Sequence, residues 1–306
     1  MIIIKDIVIL LVSIIVIGKG AVWLVDAAAR VAKHFGISEL VIGLTVVAFG
    51  TSAPEFGVTI LAAIRGMGDI SVGNIVGSNI FNLGFILCGT AIIHSLKTSR
   101  TIVFRDGIFL LFGGILLSVF LWDLTLSKIE GIVLFTLLVL YLLYLYFKKE
   151  TIETEEPTHA MYRWDPILLF VGIGLVIVGS HFLVESAVSI ARFMGVSDWV
   201  IGATIIAAGT SAPEFATSLT AAMKSRYGMS VGNLIGSDIF NLFGVLGVAG
   251  MMRNLSVGHD AHINLIILSF MIAVVLIFMR TGWVVSRKEG IILVMIGLLR
   301  WIYSFS

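Results

Sequence analysis

The stretch that decides the fold occurs twice, as Gly50-Thr-Ser-Ala-Pro-Glu55 and again as Gly209-Thr-Ser-Ala-Pro-Glu214. The same shift of 159 positions carries Ser71-Val-Gly-Asn74 onto Ser230-Val-Gly-Asn233. It holds without gaps over more than sixty residues of the 306-residue chain. Matches of this length at one fixed shift indicate an internal structural repeat, in which each half of the chain builds a similar unit.

The composition around the repeat is that of a chain surrounded by lipid. Hydrophobic residues make up 58% of the sequence and charged residues only 13%, with a mean hydropathy of +1.08. A soluble domain carries about 25% charged residues, so this chain is predicted to lie in a lipid bilayer. The formal net charge of +1 gives no reason to expect a nucleic-acid partner, and nothing in the sequence requires a protein partner. The one cysteine, Cys88, excludes an internal disulfide.

Ten stretches are apolar enough and long enough to cross a membrane, which takes about 20 residues. The predicted spans are 7–25, 39–64, 69–92, 103–122, 129–147, 165–187, 198–223, 228–252, 261–279 and 288–304.

The polar linker at residues 148–163 divides these spans into two groups of five, in residues 1–147 and 164–306. Because five is odd, the second group enters the membrane from the opposite side. The predicted fold is an all-α membrane protein with ten transmembrane helices arranged as two inverted five-helix repeats. Such repeats place the substrate site near the midplane, where the two halves meet.

The positive charges in the loops predict the orientation. Thirteen of the 20 Lys and Arg residues lie in loops on one side and six on the other, with Lys19 inside the first span. The richer side is predicted to be cytoplasmic. Both termini are then extracellular, and the central linker is in the cytoplasm.

Two acids lie well inside predicted membrane helices, Glu55 in the second and Glu214 in the seventh. An ionised carboxylate in hydrocarbon is costly, so an acid at such a depth indicates a functional site. If the repeats meet about a pseudo-two-fold axis, the two glutamates face each other. They repel unless a cation or a proton lies between them. The pair therefore predicts a cation-binding site.

The residues next to the glutamates predict further oxygen ligands. Pro54 and Pro213 each remove a helical hydrogen bond, and broken helices free carbonyl oxygens for ion binding. The candidate carbonyls belong to Ala48 and Ala207, and the candidate hydroxyls to Thr51, Ser52, Thr210 and Ser211. This set holds only oxygen, which suits hard cations such as calcium and sodium rather than zinc or copper.

The third and eighth helices are predicted to form the other wall of the site. Ser78 and Asn82 are four residues apart, as are Ser237 and Asn241, so each pair lies on one helical face. Asn74 and Asn233, one turn earlier, are interpreted as holding the broken backbone of the neighbouring helix rather than the ion. Taken alone, Gly-Ser pairs in membrane helices serve close packing, and the functional interpretation depends on the duplicated acids.

Other polar residues are interpreted as structural. Asp26 and Glu185 correspond under the shift and are predicted to lie at helix ends, solvated or capping, while Asp69 is predicted to cap the third helix. The six histidines form no ligand cluster. No Walker motif, nucleophile elbow or catalytic-triad spacing is present, so neither ATP hydrolysis nor enzyme chemistry is expected.

The repeated motifs resemble a known family. Each Gly-Thr-Ser-Ala-Pro-Glu segment is followed by a second motif, Gly77-Ser-Asn-Ile-Phe-Asn82 in one half and Gly236-Ser-Asp-Ile-Phe-Asn241 in the other. Together they are similar to the two alpha-repeats of the calcium/cation antiporter superfamily, above all to the prokaryotic sodium/calcium exchangers. The resemblance covers essentially the whole chain. It implies ten helices in two inverted halves and exchange of sodium for calcium across the cell membrane.

The resemblance also implies roles for individual residues. The central ligands, shared by calcium and sodium, would be Glu55 and Glu214. The other ligands would be Thr51 and Thr210 near calcium, Ala48, Ser52, Ala207 and Ser211 at flanking sodium sites with Ser78 and Ser237 beside them, and Asn82 and Asn241 in the middle. The first and sixth helices, long and more loosely packed, would slide to open the site to each side in turn.

The sequence departs from the superfamily pattern at one position. Some relatives, including potassium-dependent ones, carry Asp where Asn241 stands, so the neutral residue argues against potassium dependence. Asp238 stands three residues earlier, where the first repeat has the neutral Asn79. A spacing of three places Asp238 beside the stripe that faces the site, so it is a further candidate site residue. The alternative is a buried, hydrogen-bonded acid with a structural role.

The sequence therefore predicts a secondary antiporter that needs no ATP and moves net charge. Two carboxylates balance one calcium or two sodium ions, and a third sodium would make the cycle sensitive to membrane potential. The main alternative is a calcium/proton antiporter of the same superfamily, whose members usually lack the Thr-Ser-Ala-Pro hydroxyls. A cation channel and a purely structural membrane protein are the alternatives from other classes.

Overall fold

The computed structural model describes residues 2–148, 160–196, 201 and 207–303. Within these ranges the regular structure is helical apart from four strands of two residues each. The helices are α1 (Ile2–Phe35), α2 (Glu39–Thr51), α3 (Ala53–Ile64), α4 (Gly68–Ile93), α5 (Ile102–Asp123), α6 (Lys128–Phe147), α7 (Asp165–Phe193), α8 (Ala207–Thr210), α9 (Ala212–Met223), α10 (Tyr227–Met252), α11 (Asp260–Arg280) and α12 (Arg287–Tyr303).

The helices confirm the predicted class of an all-α membrane protein. In the described ranges seven helices are long and apolar enough to cross a membrane, and α2 and α3, bent by 51° at their junction, make an eighth span. The last predicted span corresponds to α12, which has 17 residues. The span predicted at 198–223 contains α8 and α9, and its first part lies largely outside the described residues. The central linker lies outside them too, except for residues 148 and 160–163.

Two short β-ribbons display the inverted repeat. β1 (Leu96–Lys97) pairs with β4 (Val284–Val285), and β2 (Thr125–Leu126) pairs with β3 (Leu255–Ser256), both antiparallel. The shift of 159 positions converts β1 into β3 and β2 into β4, so it converts one ribbon into the other. Each ribbon joins a loop of one repeat to a non-equivalent loop of the other. Successive loops lie on opposite faces, so the two equivalent ribbons do as well, as inverted repeats require.

The outer surfaces of the long helices are apolar. Phe170 on α7 is 71% exposed and Ile266 on α11 is 65% exposed, and many Ile, Val, Leu and Phe side chains beside them are also uncovered. A contiguous apolar surface of this extent needs a lipid solvent.

The break between α2 and α3, and its copy between α8 and α9, falls at a serine. Ser52 has φ −79° and ψ 8°, and Ser211 has φ −89° and ψ 9°, which are not helical values. A proline follows two residues later in the first turn of the new helix, where its missing N–H needs no partner. Glu55 and Glu214 therefore stand in the first turns of α3 and α9, as the predicted helix break requires.

Glycines let α10 approach α2 closely. A Cβ on Gly236 would lie 2.7 Å from the carbonyl oxygen of Leu44, and one on Gly232 would lie 2.7 Å from that of Leu40. Only a residue without a side chain fits at these points. The close packing that the Gly-Ser pair alone would predict is therefore present, and it brings the polar residues of α10 up to the end of α2.

Helices α1 and α7 pack against each other along their lengths. Cβ atoms on Gly20 and Gly172 would lie 3.1 Å and 2.9 Å, respectively, from the carbonyl oxygen of the other glycine. Arg30 near the end of α1 donates two hydrogen bonds to Asp165 at the start of α7, at 2.9 and 2.7 Å. At the other end, Ser189 donates to Asp6 at 2.6 Å. These two contacts are equivalent under the shift, so both ends of the pair are joined.

The predicted ends of the first and sixth helices, at residues 25 and 187, are wrong. The helices continue to Phe35 and Phe193, so Asp26 and Glu185 lie inside them rather than at helix ends. The apolar run stops at these acids, but the helix does not. Asp26 forms an ion pair with Lys224 at 2.6 Å. Because its charge has a partner, Asp26 can lie within the helix rather than at its end.

The predicted capping role of Asp69 is also wrong. The residue that precedes α4 is Met67, and it makes no side-chain cap. The Asp69 carboxylate instead accepts a hydrogen bond at 2.6 Å from the backbone N–H of Gly258, which follows β3. Asp69 therefore links the start of α4 in the first repeat to the loop that follows β3 in the second repeat.

Candidate cation-binding site

The two glutamates lie at the centre of the bundle, with exposures of 1% for Glu55 and 0% for Glu214. Ser52 Oγ donates to Glu214 Oε1 at 3.1 Å, and Ser211 Oγ donates to Glu55 Oε1 at 3.4 Å. Each carboxylate is thus held by the serine at the helix break of the opposite repeat. The structure therefore joins the repeats at their duplicated motifs about a pseudo-two-fold axis.

The hydroxyls of the predicted set surround the same carboxylates. Thr210 contacts Glu55, and Thr51 and Ser237 contact Glu214. Thr51 Oγ1 also lies 3.4 Å from Ser237 Oγ and 3.2 Å from the side-chain oxygen of Asn233. Ser78, the counterpart of Ser237, is buried at 5% exposure.

The two predicted carbonyls are less clearly placed. The Ala48 carbonyl lies at the end of α2, but it accepts hydrogen bonds from Ser52 N at 3.0 Å and Thr51 Oγ1 at 3.3 Å. It is therefore not a freed carbonyl, since these two bonds use both lone pairs of its oxygen. Ala207 begins α8, and its side chain lies outside the described residues.

Asn74 and Asn233 hold the backbone of the broken helices. Asn74 Nδ2 donates to the Glu55 carbonyl at 3.4 Å and to Thr59 Oγ1 at 2.9 Å. Asn233 Nδ2 donates to the Glu214 carbonyl at 3.4 Å and to Ser218 Oγ at 2.9 Å. Both contacts agree with the predicted role of these amides in fixing the neighbouring helix.

Four further buried residues from α4 and α10 form a hydrogen-bonded group beside the glutamates. Asn82 Nδ2 donates to Asp238 Oδ1 at 2.9 Å, and its counterpart Asn241 Nδ2 donates to Asn79 Oδ1 at 2.9 Å. Asn79 Nδ2 also donates to the Asp238 carbonyl at 3.0 Å. Wide π-type turns cover Asn82–Ile86 and Phe240–Val245, a distortion that often marks a functional site.

Five buried oxygens in this region have no hydrogen-bond partner among the described residues. They are Oε2 of Glu55 and of Glu214, Oδ1 of Asn82 and of Asn241, and Oδ2 of Asp238. All five belong to carboxyl or amide groups, and with the carboxyls ionised they only accept. Burying an acceptor without a donor costs free energy. A hard cation bound by these oxygens would remove that cost, because such cations take oxygen ligands.

The donors that the structure brings together at this site are oxygen atoms, the ligands that hard cations prefer. The described part of the chain holds no group of three or more His, Cys, Asp or Glu side chains that would bind a metal ion. Two central carboxylates are instead supplemented by amide and hydroxyl oxygens. This donor set favours hard cations that bind reversibly.

Sequence reasoning missed Asn79 as a member of the site. The spacing of three residues before Asn82 recurs at Asp238 and Asn241, and this repeated spacing was the available signal. The spacing within one helix does not reveal these contacts. Asn82 bonds to Asp238 and Asn241 bonds to Asn79, each across the axis and not along its own helix.

Comparison with known proteins gives consistent matches over the whole chain. The sequence model of the family described as sodium/calcium exchanger protein matches residues 5–147 and 164–301. The sodium/calcium exchanger MaX1 of Methanosarcina acetivorans is 32% identical over 94% of this chain and 95% of its own length. The inner membrane protein YrbG of Escherichia coli is 32% identical over 92% of this chain and 90% of its own length.

A solved structure gives the same result for the fold. The sodium-calcium exchanger NCX_Mj, soaked with zero Na⁺ and Ca²⁺, superposes with a TM-score of 0.87 at 31% identity. The match covers 99% of this chain and 100% of that structure. Other structures of the same exchanger, soaked with Na⁺ and either Sr²⁺ or Ca²⁺, match with TM-scores of 0.84 to 0.85.

Proposed function

The chain belongs to the sodium/calcium exchanger protein family, and on that premise we propose that it exchanges sodium for calcium by alternating access, moves net charge in doing so and needs no potassium. It is a multi-pass membrane protein and an antiporter of this family, not an enzyme. The observation that carries the proposal is the pair of cross-bonded glutamates, whose Oε2 atoms have no partner among the described residues.

Calcium and sodium are proposed to compete for the same central ligands. Glu55 and Glu214 would bind either ion, and Thr51 and Thr210 would supply further oxygens near calcium. Ser52, Ser211 and the carbonyls of Ala48 and Ala207 would complete flanking sodium sites, with Ser78 and Ser237 beside them and Asn82 and Asn241 in the middle. Without a bound ion, the centre carries two buried negative charges, and moving it past apolar side chains is costly. Only the ion-loaded protein would therefore change between the states open to either side of the membrane.

Net charge movement follows from the ion count. One calcium or two sodium ions balance the two glutamates, and a third sodium, bound to the flanking oxygens, would carry one extra charge per cycle. Each charge that crosses the membrane is worth about 2.3 kcal/mol per 100 mV. The rate of exchange should therefore respond to an imposed membrane potential.

The proposed orientation places both termini outside the cell and the linker at residues 148–163 in the cytoplasm, between a first repeat at 1–147 and a second at 164–306. It rests on the bias of Lys and Arg toward the loops of one side. The two β-ribbons then lie on opposite faces, with β1 and β4 cytoplasmic.

Potassium independence and charge movement are testable together in proteoliposomes. Calcium uptake driven by a sodium gradient is expected to run at the same rate in potassium and in choline media. Sodium leaves the liposome with one extra positive charge per cycle, so uptake should speed up when the interior is made positive and slow down when the interior is made negative. Uptake that stops without potassium, or that ignores the potential, contradicts the corresponding part of the proposal.

A further inference from the structure

The buried carboxyl of Asp238 has no counterpart in the first repeat, where Asn79 stands at the equivalent position. Both side chains are fully buried, at 0% exposure, in the wall that α4 and α10 present to the glutamates. Asp238 Oδ1 accepts from Asn82, while Oδ2 has no partner among the described residues. A buried carboxyl oxygen without a donor is unfavourable, and a bound ion is one way to satisfy it.

The bonds across the axis orient the two central amides. Because Asn82 and Asn241 give their N–H groups to Asp238 and Asn79, their carbonyl oxygens are turned away from these partners and are left free. An amide that can rotate would present a donor to a cation half of the time, and the fixed acceptor prevents this. Asn79 and Asp238 are thus equivalent in geometry and differ in charge.

Resting on the proposed function, we propose that Asp238 is a specificity-determining residue that positions Asn82 and supplies a third acidic group beside the site, favouring calcium over sodium. Asp238 directly follows Ser237, whose hydroxyl lies 3.4 Å from that of Thr51 at the glutamate pair, so a charge on the Asp238 carboxyl acts on the same centre. The attraction of a fixed negative charge for an ion scales with the charge of that ion. A third carboxyl group therefore strengthens calcium binding more than the binding of any single sodium.

The test separates charge from hydrogen bonding by substitution in the full-length protein. Asp238→Asn keeps an acceptor for Asn82 and removes the charge. The half-saturating calcium concentration for sodium-driven uptake is expected to rise about tenfold, which is about 1.4 kcal/mol, and that for sodium by less than about threefold.

The pseudo-two-fold axis provides a matched variant. The exchange N79D/D238N moves the carboxyl group to the equivalent position and keeps both acceptors. It loses the bond from residue 79 to the residue 238 carbonyl and places a carboxyl oxygen beside that carbonyl. Calcium half-saturation is expected to return to within about threefold of the original value. If Asp238→Asn gives no folded protein on size exclusion, the exchanged variant decides by itself.

Unchanged calcium and sodium half-saturation in Asp238→Asn would overturn the inference, as would an exchanged variant that stays as impaired as the single one. Failure of the proposed function has a different signature, because the unmodified protein would then show no sodium-driven calcium uptake at all.

An independent asymmetry concerns the contacts between the α1–α7 pair and the rest of the bundle. Asp26 on α1 pairs with Lys224 after α9 at 2.6 Å. The shift of 159 positions relates Asp26 to Glu185 on α7, and Lys224 to Arg65 after α3. Glu185 and Arg65 are both exposed and form no ion pair in the described structure. Likewise α1 packs along α9, and no comparable packing of α7 along α3 exists among the described residues.

We infer that these two ion pairs form in alternation, one in each state of the exchanger. In inverted repeats, rocking of one bundle against the other gives each repeat the conformation that the other has left. The Asp26–Lys224 pair closes the face on which it lies. When that face opens, α7 would approach α3, and Glu185 would pair with Arg65 on the opposite face.

Charge-neutral variants of the two acids should therefore act in opposite directions. Asp26→Asn weakens the closed state seen here and Glu185→Gln weakens the other, and apparent affinity from one side depends on the fraction of protein open to it. The ratio of calcium half-saturation from the two faces, measured in right-side-out and inverted vesicles, should shift about two- to fivefold, as for a partly exposed ion pair.

The double variant gives the internal control. Combining Asp26→Asn with Glu185→Gln is expected to return the ratio to near its original value, because both states lose an equivalent ion pair. A Glu185→Gln variant that leaves the ratio unchanged, or that moves it in the same direction as Asp26→Asn, would overturn the inference.

Discussion

Glu55→Gln is expected to abolish sodium-driven calcium uptake, and Glu214→Gln is expected to do so equally. Each substitution removes a charge and replaces one carboxylate oxygen with an amide NH₂ that points its hydrogens at the cation. Oε2 has no other partner among the described residues in either glutamate, so nothing compensates for its loss. Calcium affinity should fall at least about a hundredfold, given the energy of a close charge pair at a buried site.

The effect should be similar in the two variants because each carboxylate accepts a hydrogen bond from the serine at the helix break of the opposite repeat. Uptake of radioactive calcium and calorimetry on the purified protein measure it. Asp123→Asn is the control, since this exposed carboxylate at the end of α5 accepts a bond from Thr125 N that an amide oxygen can also accept. A folded Glu55→Gln protein that still binds calcium as the unmodified protein does would contradict the assignment of the site.

Gly172→Leu should be the most damaging substitution outside the site. A Cβ here would lie 2.8 Å from Leu24 N and 2.9 Å from the Gly20 carbonyl. Both are backbone atoms and cannot turn aside as a side chain can, so α1 and α7 are forced apart. Overpacking of this kind costs about 1–3 kcal/mol or more, and the melting temperature should fall by about 5 °C or more. Transport should be lost with it, because the pair no longer moves as one unit.

Gly174→Leu on the same helix is the matched control. No atom lies within 4 Å of a Cβ at Gly174, so the added side chain enters open space and stability should be preserved. Thermal unfolding monitored by size exclusion, together with calcium uptake, compares the two variants. Equal tolerance of leucine at both positions would mean that close contact between α1 and α7 is not needed.

Most of the fold follows from the sequence because the repeat carries so much of it. The apolar runs predict where the helices lie, and the fixed shift predicts that two similar units meet at Glu55 and Glu214. What the runs could not predict is the length of α1 and α7. Asp26 interrupts the apolar pattern, and only its partner Lys224, nearly two hundred positions away, explains why the helix continues through it.

The site was predictable for the residues that lie near the duplicated acids in sequence, and less so for those that meet across the axis. A spacing of three residues predicts that Asp238 lies beside the stripe that faces the site. Its bond to Asn82, however, comes from the other repeat. The π-type turn at Asn82 also changes the helical phase locally, which periodicity within one segment does not reveal.

The identity of the driving ion tests the central claim most directly. Purified protein in liposomes should be loaded with sodium and diluted into sodium-free medium containing radioactive calcium, in parallel with liposomes that carry only a proton gradient of matched size. Calcium should accumulate against its gradient with sodium as the driving ion, and not with protons, and the Glu55→Gln protein should accumulate none. Accumulation driven by protons but not by sodium would contradict the account and would identify a calcium/proton antiporter instead.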